Sequence, residues 1–412
     1  MTASHDGGLV IVGASLAGLR AAEAARKAGY AGPVTLVGAE DHLPYDRPPL
    51  SKQVLDPGEE VPDTTYRTEA YLREDLGVRL RLGAPADDLD PGDRSIGVGG
   101  RRIPYDRLII ATGASPRTLP GHEHNPRVRV LRTVTDALAV RSAMDRGDRI
   151  LVVGCGFIGS EVASALVKRG RPVTLVELAP IPLVRAVGEA AGSYFAELHR
   201  EHGVDLRLGC RLESVTEGRH GLDVALSDGS RLRTDLVVLG LGAVPATSWA
   251  RTSGVRLEAD GSIAADRFLR TSLPGVYAAG DVVTWENPMF GRRMRLEHWT
   301  SAAEQAAVAA RNAVANQEPE DYRTVPYFWS DLHGRRIQFV GVHGEDEPLT
   351  LADDEGSRVV LHRTGKDLAG ALTVARPRLT MRLRKIIAEY GTWTAAAELV
   401  LGDGLLQLSP SR

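Results

Sequence analysis

One stretch of this chain occurs twice. Residues 9–37, LVIVGASLAGLRAAEAARKAGYAGPVTLV, match residues 150–176, ILVVGCGFIGSEVASALVKRGRPVTLV. Each copy runs from an apolar strand through a glycine-rich turn into a helix and back along a second apolar strand, which is one βαβ unit. The strands are apolar throughout rather than alternating, the pattern of strands buried on both faces in a parallel sheet. A second echo lies downstream of each copy. RLIIATGASP (107–116) and LVVLGLGAVP (236–245) are both apolar strands that run into a Gly-containing turn. The expected fold is therefore α/β, with two Rossmann-like dinucleotide-binding domains.

The order of these segments implies that one domain interrupts the other. TSLPGVYAAGDVV (271–283) reads as a further strand ending in Gly280-Asp281. We assign residues 1–114 and 246–322 to the first dinucleotide domain and 115–245 to the second, inserted between its two parts. Residues 323–412 carry short β-like runs (RIQFVGV, SRVVLHR, LAGALTVA) and then a helix, the signature of a smaller C-terminal α/β domain. A chain of 412 residues is too long for a single core, in keeping with this division.

Composition removes other classes. A net charge of −3 gives no global attraction to nucleic acid or to an anionic membrane. Two cysteines, Cys155 and Cys210, far apart in sequence, suit neither a disulfide scaffold nor metal-ligand spacing. The N-terminus lacks a basic segment followed by an apolar core, and no run approaches ~20 apolar residues. A cytoplasmic protein without a metal is the expectation.

The glycine loops carry the first chemistry. Gly13-Ala14-Ser15-Leu16-Ala17-Gly18 stands between strand and helix, where a dinucleotide pyrophosphate meets backbone N–H groups at a helix N-terminus. Ser15 replaces the middle glycine of the fingerprint. The acid expected at the end of the next strand is absent, because Gly38 stands there. Glu40, two residues on, is either the partner of the adenosine ribose or a solvated loop acid. The second loop, Gly154-Cys155-Gly156-Phe157-Ile158-Gly159, is complete, and the strand that follows ends in Glu177. A carboxylate there accepts both ribose hydroxyls and repels a 2′-phosphate, so NADH is expected over NADPH. Arg185 is close enough in sequence to offset part of that repulsion, and Gly242 marks the turn of the matching downstream strand. Two dinucleotide sites in one chain need a hydride donor and a tightly held acceptor, for which NADH and FAD are the natural pair.

In LPYDRPPLSKQVL (43–55) three prolines fall between Pro44 and Pro49, and Lys52 follows. Proline fixes its own φ and biases its predecessor to an extended form, so Lys52 is delivered stiffly to one place.

In their order, the first loop, RPPLSK, ATGASPR, the complete second loop with Glu177, GVYAAGDV and PYFWSD resemble the FAD-dependent NADH–ferredoxin reductases. These are the putidaredoxin reductase-like proteins with a glutathione-reductase-type fold. The resemblance spans essentially the whole chain. It implies that FAD lies on Gly13–Gly18 and that Asp281, after Gly280, bonds its ribityl chain. It also implies that Ala111, Thr112 and Gly113 line the FAD, and that Arg47 and Arg132 contribute to its binding, Arg132 at the pyrophosphate. Trp329 would sit beside the isoalloxazine, and Glu297, His298 and Trp299 would open a helix passing near it. Lys52 would lie near flavin N5 and pair with Glu161, stabilising charge that develops on the reduced flavin. After WSD the chain reads Leu332-His333-Gly334, where relatives often carry a glutamine.

Disulfide reductases of this fold need reactive cysteine beside the flavin, and no cysteine lies between Gly18 and Ala111. The resemblance therefore implies hydride transfer from NADH to FAD and then single electrons to an iron–sulfur ferredoxin. That ferredoxin would serve a haem-thiolate monooxygenase or a ring-hydroxylating dioxygenase. A docking patch for an acidic ferredoxin is expected among Arg292, Arg293, Arg295, Arg335, Arg336, Arg376, Arg378, Arg382, Arg384 and Lys385. Arg378, Arg382 and Lys385 share one face of a helix whose apolar stripe is Leu379, Leu383, Ile386 and Ile387. A monomer or weak homodimer is expected. The rival readings are a rubredoxin- or monodehydroascorbate-type reductase and an apoptosis-inducing-factor-like interaction flavoprotein.

Overall fold

The computed structural model describes residues 7–58, 60–315, 318–352 and 356–407. These fall into two units, each built from several segments of chain. The first comprises Met1–Asp46, Asp63–Ser115 and Ala243–Thr324; the second comprises Arg47–Pro62, Pro116–Gly242 and Val325–Arg412.

The sequence repeat is also a repeat of topology. In the first unit a parallel five-stranded sheet is ordered Val276–Ala278, Arg107–Ile110, Leu9–Val12, Val34–Val37, Val78–Arg81. In the second unit the order is Val128–Val130, Leu236–Leu239, Ile150–Val153, Val173–Val176, Asp205–Arg207, again parallel. The first strand of each repeat, Leu9–Val12 or Ile150–Val153, is central in its sheet and fully buried, as its unbroken apolar run requires. Each unit also carries a three-stranded antiparallel sheet, placed in the chain just before the parallel strand Arg107–Ile110 in the first unit and just before Leu236–Leu239 in the second. These are Ala86–Asp90 with Ser95–Val98 and Arg101–Pro104, and Leu212–Gly218 with Gly221–Leu226 and Arg231–Thr234.

The two copies differ at the outermost strand. In the first unit that strand, Val276–Ala278, comes from far downstream; in the second, Val128–Val130 precedes the whole repeat. The strand Val276–Ala278 is the one that ends at Gly280-Asp281, so the interruption of the first unit delivers that turn to the edge of its sheet.

The second unit also contains a six-stranded antiparallel sheet. Its order is Tyr327–Leu332, Arg335–Gly341, Asp367–Val374, Arg358–Thr364, Leu349–Ala352, Leu406–Gln407. The helices Pro377–Ala388 and Trp393–Gly402 accompany it, and Leu379, Leu383 and Ile387 turn the apolar stripe of the first helix inward.

Candidate functional site

Both glycine loops leave the carboxyl end of a central parallel strand and open a helix, Leu16–Lys27 in the first unit and Phe157–Lys168 in the second. Gly13 has φ +121°, and a Cβ on it would stand 2.0 Å from the carbonyl oxygen of Ala111. Gly154 repeats this with φ +99° and 2.3 Å from Gly240 O. The last glycines match as well: a Cβ on Gly18 would come within 1.8 Å of Gly13 O, and one on Gly159 within 1.9 Å of Gly154 O. Helix and strand can approach this closely only without a side chain. The middle position differs in kind. A Cβ on Gly156 would meet nothing closer than 3.9 Å, so the protein itself tolerates a side chain there. That explains how Ser15 can occupy the equivalent place.

Glu177 stands where the second loop needs an acid. Its carboxylate accepts hydrogen bonds from Cys155 N at 2.7 Å and Ala179 N at 2.8 Å, so two backbone amides aim it at the mouth of the loop. In the first unit the corresponding Gly38 is packed against Ala14 and leaves no room for a side chain. Glu40 lies half-buried and accepts from Tyr45 Oη at 2.5 Å. Arg185 belongs to the helix Val184–Glu201, and its side chain lies outside the described residues. Phe157 sets its ring edge against Phe328 at 4.9 Å, Ile158 is exposed at 39%, and Gly242 turns with φ +80°.

The chain from Arg47 to Pro62, with two of the three prolines and Lys52, belongs to the second unit. Pro48–Ser51 forms a short 3₁₀ turn, and the chain reaches Lys52 in a non-helical conformation. Lys52 Nζ then stands 2.7 Å from Glu161 Oε1, and Glu161 is 4% exposed. A buried carboxylate of this kind requires donors, and it has three. Ser51 Oγ donates to Oε2, and Ser330 Oγ donates to Oε1 at 2.6 Å. Two arginines hold the chain beyond the lysine. Arg141, itself 5% exposed, donates to the carbonyls of Val54, Asp56 and Gly58. Arg169 donates to those of Leu55 and Asp56. Sequence reasoning found Lys52 and Glu161 but not Ser51, Ser330, Arg141 or Arg169. The serines sit inside the two quoted motifs, RPPLSK and PYFWSD, and were hidden by their more conspicuous neighbours.

Within the first unit, Thr112 Oγ1 donates to Ala246 O at 2.8 Å, and Gly113 O accepts from Ala246 N at 3.0 Å. The returning segment thereby closes on the ATG turn that follows Ala111. Gly280 N donates to Gln305 Oε1 at 2.8 Å, which fixes the turn presenting half-buried Asp281. Gln305 is completely buried, yet its Nε2 has no hydrogen-bond partner among the described residues. His298 precedes the helix Trp299–Val314; the residue is partly exposed but its Nδ1 is sealed from solvent. Desolvation pushes the imidazole down to about 4, so it is neutral at pH 7. Trp299 Nε1 donates to Asp46 Oδ1 at 2.9 Å, and Tyr66 Oη donates to the same oxygen at 2.6 Å. Burial followed by that bond raises the phenol far above its ordinary range. Glu297 instead pairs with Arg295 on the exposed side.

Trp329 lies in the strand Tyr327–Leu332 and stacks on Tyr327 at 5.7 Å, with the Arg384 guanidinium over the Tyr327 ring. Arg47 donates to Arg132 O at 2.6 Å; both belong to the second unit. The basic residues divide between the units, Arg292, Arg293 and Arg295 in the first and the remainder in the second. Arg293 pairs with Glu258, Arg295 with Asp260, Arg336 with Asp331 and Arg376 with Asp403. Arg335 and Arg384 donate to backbone carbonyls.

The residues present fit two dinucleotides. Each loop forms a cradle that a Cβ would fill, and the sealed Nε2 of Gln305 beside Asp281 offers a donor in the first unit. Comparison with known proteins agrees. Residues 8–306 match the family described as pyridine nucleotide-disulphide oxidoreductase, and residues 327–401 match the family described as reductase C-terminal. The chain is 35% identical over 386 residues to rhodocoxin reductase of Rhodococcus erythropolis, covering 92% of this chain and 89% of that protein. It is also 35% identical over 349 residues to the ferredoxin–NAD(+) reductase component of the anthranilate 1,2-dioxygenase system of Burkholderia cepacia, covering 84% of each. Among solved structures, the covalent putidaredoxin reductase–putidaredoxin complex superposes with a TM-score of 0.87 at 30% identity, covering 93% of each chain. Repeated loops, matched topology and end-to-end similarity together make this chain a pyridine nucleotide-disulphide oxidoreductase of the ferredoxin–NAD(+) reductase family.

Proposed function

We propose that this protein is an NADH-dependent ferredoxin reductase with FAD as resident cofactor. The carrying observation is what the chain lacks beside its two dinucleotide loops. Its only cysteines are Cys155 and Cys210. Both are buried, and Cys155 belongs to the nucleotide loop of the second unit. No protein thiol is available as the next electron carrier, so electrons leave to an external acceptor. The relatives, named as ferredoxin–NAD(+) reductases and as a partner of putidaredoxin, support an iron–sulfur ferredoxin as that acceptor.

Bound FAD supplies the ability to take two electrons together and release them singly. The chain's own residues arrange the exchange. The loops Gly13–Gly18 and Gly154–Gly159 present backbone N–H groups to the pyrophosphates of FAD and NADH. Glu177 takes the adenosine ribose of NADH and disfavours a 2′-phosphate. Asp281 and Gln305 serve the ribityl side of the FAD. Lys52 brings a positive charge that stabilises developing negative charge during hydride transfer, and Glu161 holds that ammonium in place. His298 and Trp299 shape the flavin surroundings within the first unit, with His298 neutral at working pH.

We place ferredoxin docking on the helix Pro377–Ala388. Arg378, Arg382 and Lys385 are exposed there, Lys385 in a solvent-exposed pair with Glu389 at 3.7 Å, whereas most of the other basic residues are committed to acids or carbonyls within their own unit. An acidic partner complements this face. A cytoplasmic setting, where NADH is regenerated, suits the reaction. Rapid-mixing absorbance tests the reading. NADH should bleach the yellow protein faster than NADPH does, and oxidised ferredoxin should restore the colour. Bleaching with no response to any ferredoxin would refute the acceptor.

A further inference from the structure

Glu161 is held on both sides by consecutive residues of one turn. Ser51 Oγ donates to Oε2, and Lys52 Nζ contacts Oε1 at 2.7 Å. A strand of the C-terminal sheet adds the third donor, Ser330 Oγ, to Oε1 at 2.6 Å. Ser51 is 3% exposed, Ser330 is fully buried and Glu161 is 4% exposed, so water does not substitute freely for any of them. A carboxylate offers about four lone-pair sites. Lys52 alone would engage one oxygen and leave the other a buried acceptor, among the described residues, without a partner. A carboxylate satisfied on one side only is free to rotate about its last torsion, which would carry Oε1 away from the ammonium. With a donor fixed on each oxygen, that rotation breaks a hydrogen bond.

We propose that Ser51 and Ser330 are positioning residues for hydride transfer: one hydrogen bond to each oxygen of Glu161 fixes the carboxylate in the orientation that holds the Lys52 ammonium in place. This rests on the reading of Lys52 and Glu161 given above. The serines touch neither substrate in this scheme; they act through Glu161. The chain brings them from the first and third segments of the second unit, residue 51 and residue 330, so that neither stands out as a site residue in its own motif.

The test uses the FAD-loaded protein with serine variants S51A, S330A, S51T and S330T, each alone and combined with E161Q. Two readouts are taken. The first is the infrared carboxylate stretch of Glu161, identified by its loss in E161Q. The second is flavin bleaching by NADH, resolved into its limiting rate and the NADH concentration at half-saturation. S51A and S330A should each shift the carboxylate band and lower the limiting rate about tenfold, with half-saturation changed less than twofold; such losses follow from small misplacement of a reacting-site group. S51T and S330T, which keep the hydroxyl, should retain both properties, and the alanine changes should add nothing in the E161Q background. If an alanine variant fails to retain FAD, its cysteine counterpart, similar in size but a weak donor, is measured instead. Full-rate bleaching by S51A and S330A despite a shifted band would overturn the proposal. So would a slowdown that persists undiminished in E161Q, since the serines would then act on something other than the carboxylate. Unaltered bleaching by E161Q itself would remove the Lys52–Glu161 reading, and the proposal with it; the first two failures leave that reading standing.

Discussion

At the scale of single residues, position relative to the backbone decides what each side chain can do. Glu177 is anchored by the amides of Cys155 and Ala179, so its charge cannot swing away from an incoming 2′-phosphate. Replacing it with alanine should move the ratio of kcat/KM for NADH over NADPH toward NADPH by about tenfold or more, the scale of one close charge–charge contact. Steady-state assays with both nucleotides check this. Cys155 shows the opposite case, a reactive residue type disarmed by its setting. Burial pushes its thiol up to about 12, against the opposing pull of a contact to Ser160. The thiolate is the reactive form, so thiol reagents at pH 7 should leave Cys155 unmodified in the folded protein. Labelling should appear only as the protein unfolds, as counted by mass spectrometry.

At the scale of elements, the loops are rigid because strand and helix are in contact. Alanine at Gly18 would drive its Cβ to 1.8 Å from Gly13 O, and alanine at Gly159 to 1.9 Å from Gly154 O. Overpacking of this kind costs about 1–3 kcal/mol and moves the N–H groups that meet phosphate. G18A should purify with FAD depleted, whereas G159A should stay yellow and bind NADH at least tenfold more weakly. By contrast, G156S should fold with stability within about 0.5 kcal/mol of the parent, since its Cβ meets nothing closer than 3.9 Å. Within the second unit the helix Val184–Glu201 packs on the C-terminal sheet, with a group of histidines at the contact. His199 Nδ1 and His333 Nε2 lie 2.9 Å apart, and His202 stacks on His333 at 4.3 Å. Burial pushes His199 down to about 3 and His333 to about 4; nearby, His362 beside His343 falls to about 4. These imidazoles fold neutral, while the unfolded chain takes up protons from about pH 6.5 downward. Their contribution is therefore complete above pH 6.5 and is lost as pH falls toward 4 and then 3. For His199, 1% exposed, the loss is about 1.4 kcal/mol per pH unit across that window. Thermal unfolding followed between pH 7 and 4 should show Tm falling with pH, and H199N should flatten the dependence.

At the scale of the whole molecule, two dinucleotide folds in one chain convert a hydride donor into a source of single electrons. Electron balance then requires two ferredoxins reduced for each NADH oxidised. Parallel measurement of NADH loss and ferredoxin reduction under nitrogen should return that ratio. If Arg378, Arg382 and Lys385 guide docking, raising salt from low ionic strength to 0.5 M should slow electron delivery at limiting ferredoxin but leave bleaching by NADH unaffected. Charge reversal of Arg382 should reproduce the salt effect at low ionic strength.

Much of this was legible in the sequence because it is local. A strand apolar throughout, a glycine at each tight turn and an acid at the end of the next strand are constraints within one βαβ unit, and both copies fold as their spacing requires. The family followed from the order of such motifs. The Lys52–Glu161 pair lies beyond local rules and was reached only through resemblance, since 108 positions of chain separate its members; the contact itself is a property of the folded second unit. Only tertiary structure disclosed the serine donors on Glu161 and the arginine clamp on the backbone after Lys52. It alone showed that the outermost strand of each sheet enters from a different end of the chain, and that Arg293, Arg295, Arg336 and Arg376 are held in ion pairs with acids of their own unit. The physical reason is common to all of these. Backbone propensity and hydrophobic period act over a few residues, whereas a buried polar group takes whatever donor the packed chain brings within 3 Å, and sequence spacing carries no record of that distance.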